Sequence, residues 1–197
     1  MKIMAATLAV VVGSGAWAKQ IPMDSAAPVV TVCMDMFADA VVARAQGEAS
    51  TMFAEIPIAI AWRSGRPCQA FDAIHIHLSS RVPAGVPAGV LALAHPYQGI
   101  YIELFYDRIV NMAGPSILPH LLAHVLVHEI THILQGLARH SETGIMKANW
   151  NEEDILHMGL HPLRFAPEDV ELVQLALKSR TRRLQAMAVT PKTNESR

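Results

Sequence analysis

The sequence is poor in the features that mark several large classes of protein. It has two cysteines in 197 residues, which allows at most one intramolecular disulfide. Its 16 basic and 17 acidic residues give a net charge of −1, so the composition offers no support for nucleic-acid binding. Beyond the N-terminus, no charge-free apolar run reaches the roughly 18 residues of a membrane span, and we find no internal repeats. What remains is a chain that is 52% hydrophobic and long enough for one domain with a sizeable core.

The first 18 residues have the pattern of a secretory signal peptide. A charged start precedes an apolar run over residues 3–12 and the small-x-small sequence Ala16-Trp17-Ala18. The run is too short to span a membrane comfortably, and no cysteine follows it to carry a lipid anchor. We therefore predict a signal peptide over residues 1–18 and a mature protein that is secreted or periplasmic, with no membrane span. Because export implies an oxidising compartment, we also predict a disulfide between Cys33 and Cys68.

The remaining pattern indicates a mixed sheet followed by helices. Apolar or alternating runs predict five strands, over residues 28–34, 56–62, 74–79, 90–94 and 100–105. An alanine-rich helix separates the first two strands, which makes them parallel neighbours joined by a right-handed crossover. The last two strands form a hairpin. A long helix then ends at Gln135, and two further helices are expected within residues 151–186, in a single domain over residues 19–189 with a disordered tail over residues 190–197.

The most informative stretch is residues 128–150, which opens with the pattern H-E-x-x-H at His128, Glu129 and His132. Residues four apart lie on one face of a helix, so the two imidazoles can bind one ion. Zinc is the usual ion for this motif. Zinc lowers the pKa of bound water to about 7, and Glu129 is placed to take the proton from that water. The motif therefore predicts a zinc site with Glu129 as catalytic base.

A third ligand follows the motif. Gly136 is placed to end the helix, because glycine accepts the left-handed conformation that follows a last turn. The chain can then reverse and bring His140 back to the metal. The tight turn Gly144-Ile145-Met146 would put a methionine beneath the imidazoles as an apolar floor. The sequence therefore predicts three metal ligands above Met146, namely His128, His132 and His140.

Other histidines are weaker candidates. His120 and His124 extend the stripe of histidines along the helix, but Val125 follows His124 and supplies no base. We interpret both as capping, packing or supporting groups. His75 and His77 share one face of a strand, and we interpret them as solvated rather than as a second metal pair.

The stretch resembles the metzincin clan of zinc peptidases, which join H-E-x-x-H to a glycine, a third histidine and a methionine turn. In this chain Gly136 falls one residue later, and His140 two residues later, than in the usual H-E-x-x-H-x-x-G-x-x-H. Gln135 and Ala138 stand at the usual glycine and third-ligand positions. The longer form is similar to a group of short secreted bacterial proteins with H-E-x-x-H-x-x-x-G-x-x-x-H-S-x-x-G-I-M.

The resemblance, which covers about residues 28–146, implies a fold and a function. The fold is an α+β, metzincin-like one: a twisted mixed sheet of about five strands packed on a long helix and the active-site helix, with a small helical C-terminal part. The function is that of a secreted zinc metallopeptidase that hydrolyses peptide bonds with zinc-activated water. An edge strand near residues 91–96 would pair with an extended peptide or protein substrate. We expect a monomer.

Three alternatives stay open. Glu152 lies 20 residues after His132, where thermolysin-like gluzincins carry a glutamate as third ligand. A non-catalytic zinc-binding module is a second alternative, against which Glu129 speaks because a structural site needs no base. The third alternative is that one of the two cysteines blocks the zinc as a thiolate.

Overall fold

The computed structural model describes residues 27–35, 39–65, 68, 72–97 and 100–189. The signal peptide expected over residues 1–18 and the tail expected over residues 190–197 lie outside these ranges. Among the described helices, none is both long and apolar enough to cross a membrane.

In the part of the chain that the structure describes, five strands form one mixed sheet: β1 Val29–Met34, β2 Ala59–Ser64, β3 Ile74–Ser79, β4 Ala92–Ala94 and β5 Tyr101–Phe105. Their order across the sheet is β2-β1-β3-β5-β4. The first four strands in this order pair in parallel, and β4 pairs antiparallel with β5. The predicted parallel pairing of the first two strands and the predicted hairpin are both confirmed, and β4 is left as an edge of the sheet.

The described ranges also contain five helices: α1 Ala40–Ala54, α2 Tyr106–Met112, α3 Leu118–Gln135, α4 Glu152–Met158 and α5 Pro167–Val189. The helix α3 lies at the centre, packed against α1, α5 and β4. All but two of its 18 residues are buried. A helix that is buried on every side belongs to the interior of a protein. Most side chains of α3 therefore lie in the closely packed interior.

The strand β2 begins three residues later than residue 56, where the sequence predicted its start. The backbone N–H groups of Ile56 and Ile58 both donate to the carbonyl of Phe53, each at 3.1 Å. These two isoleucines therefore close the end of α1, and their buried side chains join the core without belonging to the strand. An apolar run alone does not show whether its residues lie in a strand or close the end of a helix.

The predicted disulfide between Cys33 and Cys68 is present. Their Cα atoms are 6.1 Å apart, within the range of about 4.4–6.8 Å usual for disulfides. Cys33 lies in β1, between β2 and β3. The bond therefore ties the connection before β3 to the interior of the sheet.

His124 joins α3 to the segment between α4 and α5. Its side chain is 1% exposed. Its Nδ1 donates to the carbonyl of His120 at 2.7 Å, and its Nε2 accepts the backbone N–H of Leu163 at 3.0 Å. The second bond requires the neutral ring, because a protonated Nε2 cannot accept a hydrogen bond. Burial, which outweighs the opposing effects of the His120 carbonyl and the nearby Glu48 carboxylate, lowers the pKa of His124 to about 4.

We predict that His124 makes the metal-free protein sensitive to acid. A folded pKa of about 4 lies below the ordinary histidine pKa of about 6.5, so the unfolded state takes up a proton first as the pH falls. The contribution of neutral His124 to the free energy of unfolding is fully present above pH 6.5. It falls by about 3 kcal/mol as the pH drops from 6.5 to 4. In urea unfolding at a series of pH values, the free energy of unfolding should fall less steeply with decreasing pH for His124→Gln than for the wild type. Parallel losses in the two proteins would contradict the prediction.

Candidate metal centre

The helix α3 carries three of the predicted site residues in its last two turns, and Gly136 ends it as predicted. Gly136 has the left-handed conformation, with φ 67°, and its N–H donates to the carbonyl of His132 at 3.0 Å. Leu137 also donates to the His132 carbonyl, at 3.3 Å. The chain therefore reverses at Gly136, one turn after His132.

Backbone carbonyls fix the rings of His128 and His132. The Nδ1 of His128 donates to the carbonyl of Ile145, and the Nδ1 of His132 donates to the carbonyl of Leu137, each at 2.9 Å. These bonds turn the two Nε2 atoms towards each other, 3.1 Å apart. Because each neutral ring has already used its one hydrogen, both Nε2 atoms present a lone pair.

The reversal after Gly136 brings His140 to the other two histidines. The ring centroid of His140 lies 5.3 Å from that of His128 and 5.0 Å from that of His132. One ligand nitrogen from each of the three rings lies within 4.8 Å of the others. The three histidines that the sequence singled out are therefore close enough to share one ion.

Burial keeps these histidines neutral. It lowers the pKa of His128 to about 3, with further lowering from His132 and His140. It also lowers the pKa of His132 and that of His140. A metal binds the neutral imidazole, so the cluster needs no deprotonation at neutral pH.

Glu129 lies at the same end of α3 and is 8% exposed. Burial raises the pKa of its carboxyl group to about 7, against a lowering by a hydrogen bond from the backbone of Ala94. Ala94 belongs to β4, the edge strand. The carboxyl group therefore lies against the edge strand of the sheet.

The segment of residues 144–146 forms a tight turn beside the histidines. Gly144 has φ +75°, and the N–H of Ile145 donates to the carbonyl of Arg164 at 3.0 Å. The side chains of Ile145 and Met146 are fully buried. The turn therefore presents the Ile145 carbonyl to His128 while its own side chains join the core.

Trp150 borders the site, although no sequence pattern singled it out. Its ring meets that of His128 edge to face, with centroids 5.4 Å apart, and that of His124 at 6.3 Å. Its indole Nε1 is buried, with no hydrogen-bond partner in the described part of the chain. Asp169, a buried carboxylate linked to residues on both sides of His140, was also missed.

A cleft of about 400 Å³ opens beside the three histidines. One wall is the segment that leads into and includes β4, and the other is the segment of residues 147–150. Glu129 and all three histidines line it, together with apolar side chains that include Leu91, Met112, Val125, Trp150 and Ile155. The three histidines and Glu129 are therefore accessible to a ligand in the cleft.

The remaining candidates lie elsewhere. Glu152 is the first residue of α4, exposed, and outside the cluster of possible ligands that the described residues form. His77 lies 4.0 Å from Asp35 on the surface, and the ring of His75 lies against that of Tyr101. The Nδ1 of His120 contacts Glu48 at 2.8 Å.

The fold is similar to that of archaemetzincin from Methanopyrus kandleri. The TM-score is 0.56, with 14% sequence identity over 80% of this chain and 99% of that chain. No family model matches the sequence, and no curated protein does. The likeness confirms a metzincin-like fold, and the chemistry has to be argued from the site itself.

We predict that Gly144 cannot be replaced without loss of stability. A Cβ atom there would lie 2.2 Å from the carbonyl oxygen of Arg164, and φ is positive as well. Gly136 provides a matched control, because its φ is +67° but no atom lies within 4 Å of its Cβ position. In urea unfolding of the metal-free protein, Gly144→Ala should cost about 3 kcal/mol and Gly136→Ala about 1 kcal/mol. Equal losses would show that the contact with Arg164 is relieved by a small shift.

Proposed function

We propose that this chain is a secreted, zinc-dependent metallopeptidase in which His128, His132 and His140 hold the metal ion and Glu129 is the general base. The observation that carries the proposal is the pair of Nε2 atoms of His128 and His132, which face each other at 3.1 Å. Two lone pairs at this separation repel each other unless a cation lies between them.

The donor set suits zinc in geometry and in number. Two imidazole nitrogens at tetrahedral positions around one zinc, each about 2.0–2.1 Å from it, would be about 3.3 Å apart. The observed 3.1 Å is close to this value. His140 offers a third nitrogen, and three protein ligands leave one position open, which is typical of catalytic rather than structural zinc sites. The carbonyl partners of both Nδ1 atoms are the kind of support that such ligands usually have.

Zinc, when bound, would polarise the scissile carbonyl and lower the pKa of a water molecule beside it. The residues of the chain supply the rest of the chemistry. The Glu129 carboxylate takes the proton of the attacking water as the new C–O bond forms. It then passes that proton to the amide nitrogen as the C–N bond breaks, so that the products are a carboxylic acid and an amine.

The substrate in this proposal is a peptide or protein segment bound in an extended conformation. The strand β4 is an edge of the sheet, with its described pairing to β5 on one side only. Unpaired backbone groups of an edge strand readily accept another strand. Because Glu129 is bonded to the backbone of Ala94 in β4, a peptide along this edge would pass close to the base.

The proposed site of action is outside the cytoplasm. The disulfide between Cys33 and Cys68 is compatible with an oxidising compartment. The signal-peptide pattern of residues 1–18 points the same way. Removal of these residues on export, and the monomeric state, stay predictions from the sequence.

We predict that Glu129→Gln abolishes hydrolysis and leaves one zinc ion per chain. Loss of a general base typically costs about 10²–10⁴-fold in rate, whereas the three imidazoles are untouched. The measurements are metal analysis of the purified protein and digestion of a broad peptide library. Glu171→Gln, on the exposed face of α5, is the control and should cleave like the wild type. A wild-type protein that binds zinc but cleaves no peptide would instead favour a non-catalytic zinc-binding module.

We predict that His140→Ala weakens zinc binding and that Glu152→Ala does not. Loss of a direct ligand should exceed the roughly 10–100-fold effect of losing a supporting group. Zinc affinity, measured by competition with a chromogenic chelator, tests both variants. The reverse pattern would mean that Glu152 is the third ligand and that the gluzincin alternative is right.

A further inference from the structure

A buried carboxylate lies behind the metal centre, on the C-terminal helix. Asp169, in the first turn of α5, is 0% exposed. Its Oδ1 accepts from Arg139 Nη1 at 2.8 Å and from Gln135 Nε2 at 3.3 Å, and its Oδ2 accepts from Ser141 Oγ at 2.7 Å. A buried carboxylate is costly unless it is paired and hydrogen-bonded. These three donors are therefore what allows Asp169 to stay in the interior.

Two of the donors flank His140 directly, at positions 139 and 141. The third, Gln135, is the last residue of α3. Each oxygen of the carboxylate thus holds one neighbour of His140, and Oδ1 also holds the end of the helix that carries His128 and His132. The Asp169 side chain therefore fixes the loop that carries His140 relative to the C-terminal end of α3.

His140 needs such support more than the other two histidines do. The rings of His128 and His132 lie on a buried helix and donate to backbone carbonyls. His140 is exposed as a residue; within the described ranges its partly buried ring contacts the other two imidazoles but has no hydrogen bond. Its position therefore depends on the backbone of residues 139–141. This loop is two residues longer than in the shorter metzincin spacing, and a longer loop has more conformational freedom to lose.

We propose that Asp169 is the positioning residue of the metal centre: by bonding Arg139 and Ser141, it places the imidazole of His140 where it can share an ion with His128 and His132. This inference rests on the proposed function for the metal itself. It adds that α5 is part of the site although none of its residues touches the ion. The backbone bond from Ser141 N–H to the Met146 carbonyl, at 2.8 Å, sets the far side of the same loop.

The test is metal affinity in the full chain, measured with zinc and with cobalt(II) and without substrate. Asp169→Asn keeps the size of the side chain but puts an N–H group against one of its donors. Its affinity for both ions should fall about 10–100-fold. The visible absorption of the cobalt complex at saturation should also change, because a displaced imidazole alters the coordination geometry. A change in global stability alone would not alter that spectrum.

Glu168→Gln is the matched control. Glu168 is the exposed partner of the same arginine, with 3.2 Å from Arg139 Nη2 to its Oε1, and its side chain is 59% exposed. This variant removes an ion pair from Arg139 without touching the buried carboxylate. Its affinity and cobalt spectrum should match those of the wild type.

Ser141→Ala keeps the proposal testable if Asp169→Asn does not fold. It removes one donor and leaves the carboxylate paired with Arg139, and it should weaken metal binding in the same direction. A folded Ser141→Ala or Asp169→Asn protein with wild-type affinity and spectrum would overturn the inference. A wild-type chain that binds neither ion would overturn both this inference and the proposed function. Tight binding without peptide cleavage would overturn the proposed function alone.

Discussion

The geometry of the site depends on two hydrogen bonds from imidazole Nδ1 atoms to backbone carbonyls. The bond from His128 reaches Ile145, and the bond from His132 reaches Leu137. Together they select one tautomer for each ring and point both Nε2 lone pairs at the same space. Each acceptor is in turn part of a constrained turn. Ile145 follows Gly144, which no larger residue can replace without meeting Arg164, and Leu137 follows the left-handed Gly136.

Burial is the second constraint on the site. The helix α3 is a core element, so its histidines and Glu129 share an environment with the largest apolar side chains of the protein. Such an environment favours neutral forms, lowering the pKa of histidines and raising that of a carboxyl group. Burial would destabilise the protein if the histidines or Glu129 were charged. For the same reason it keeps the imidazole nitrogens unprotonated, so that they can bind a cation.

Much of the site could be predicted because its spacing is local. Helix periodicity puts two histidines that are four residues apart on one face. A glycine can end the helix in the left-handed conformation, and the chain can then reverse and bring a later histidine back. The strands β1 and β3, the hairpin and the disulfide were likewise predictable from alternation, turn residues and cysteine count. The start of β2 was not, because the apolar residues Ile56 and Ile58 have the same pattern whether they lie in a strand or close a helix.

Contacts between distant segments stayed invisible in the sequence. From the sequence, Asp169 is expected to be an ordinary acidic residue in the first turn of a helix, where its charge would complement the helix dipole. Its burial becomes apparent only when Arg139 and Ser141 are seen beside it. Trp150 likewise reads as one more apolar residue until its ring is found against His128.

The position of Asp169 along the chain has a consequence for the order in which the protein is built. Every group that would contact the ion or take a proton is already present once the chain has been synthesised to His140. The carboxylate that holds the neighbours of that histidine follows 28 residues after Ser141. A nascent chain therefore carries all three imidazoles through a period in which the third is unsupported. Synthesis of the first turn of α5 marks the earliest moment at which the centre can become complete.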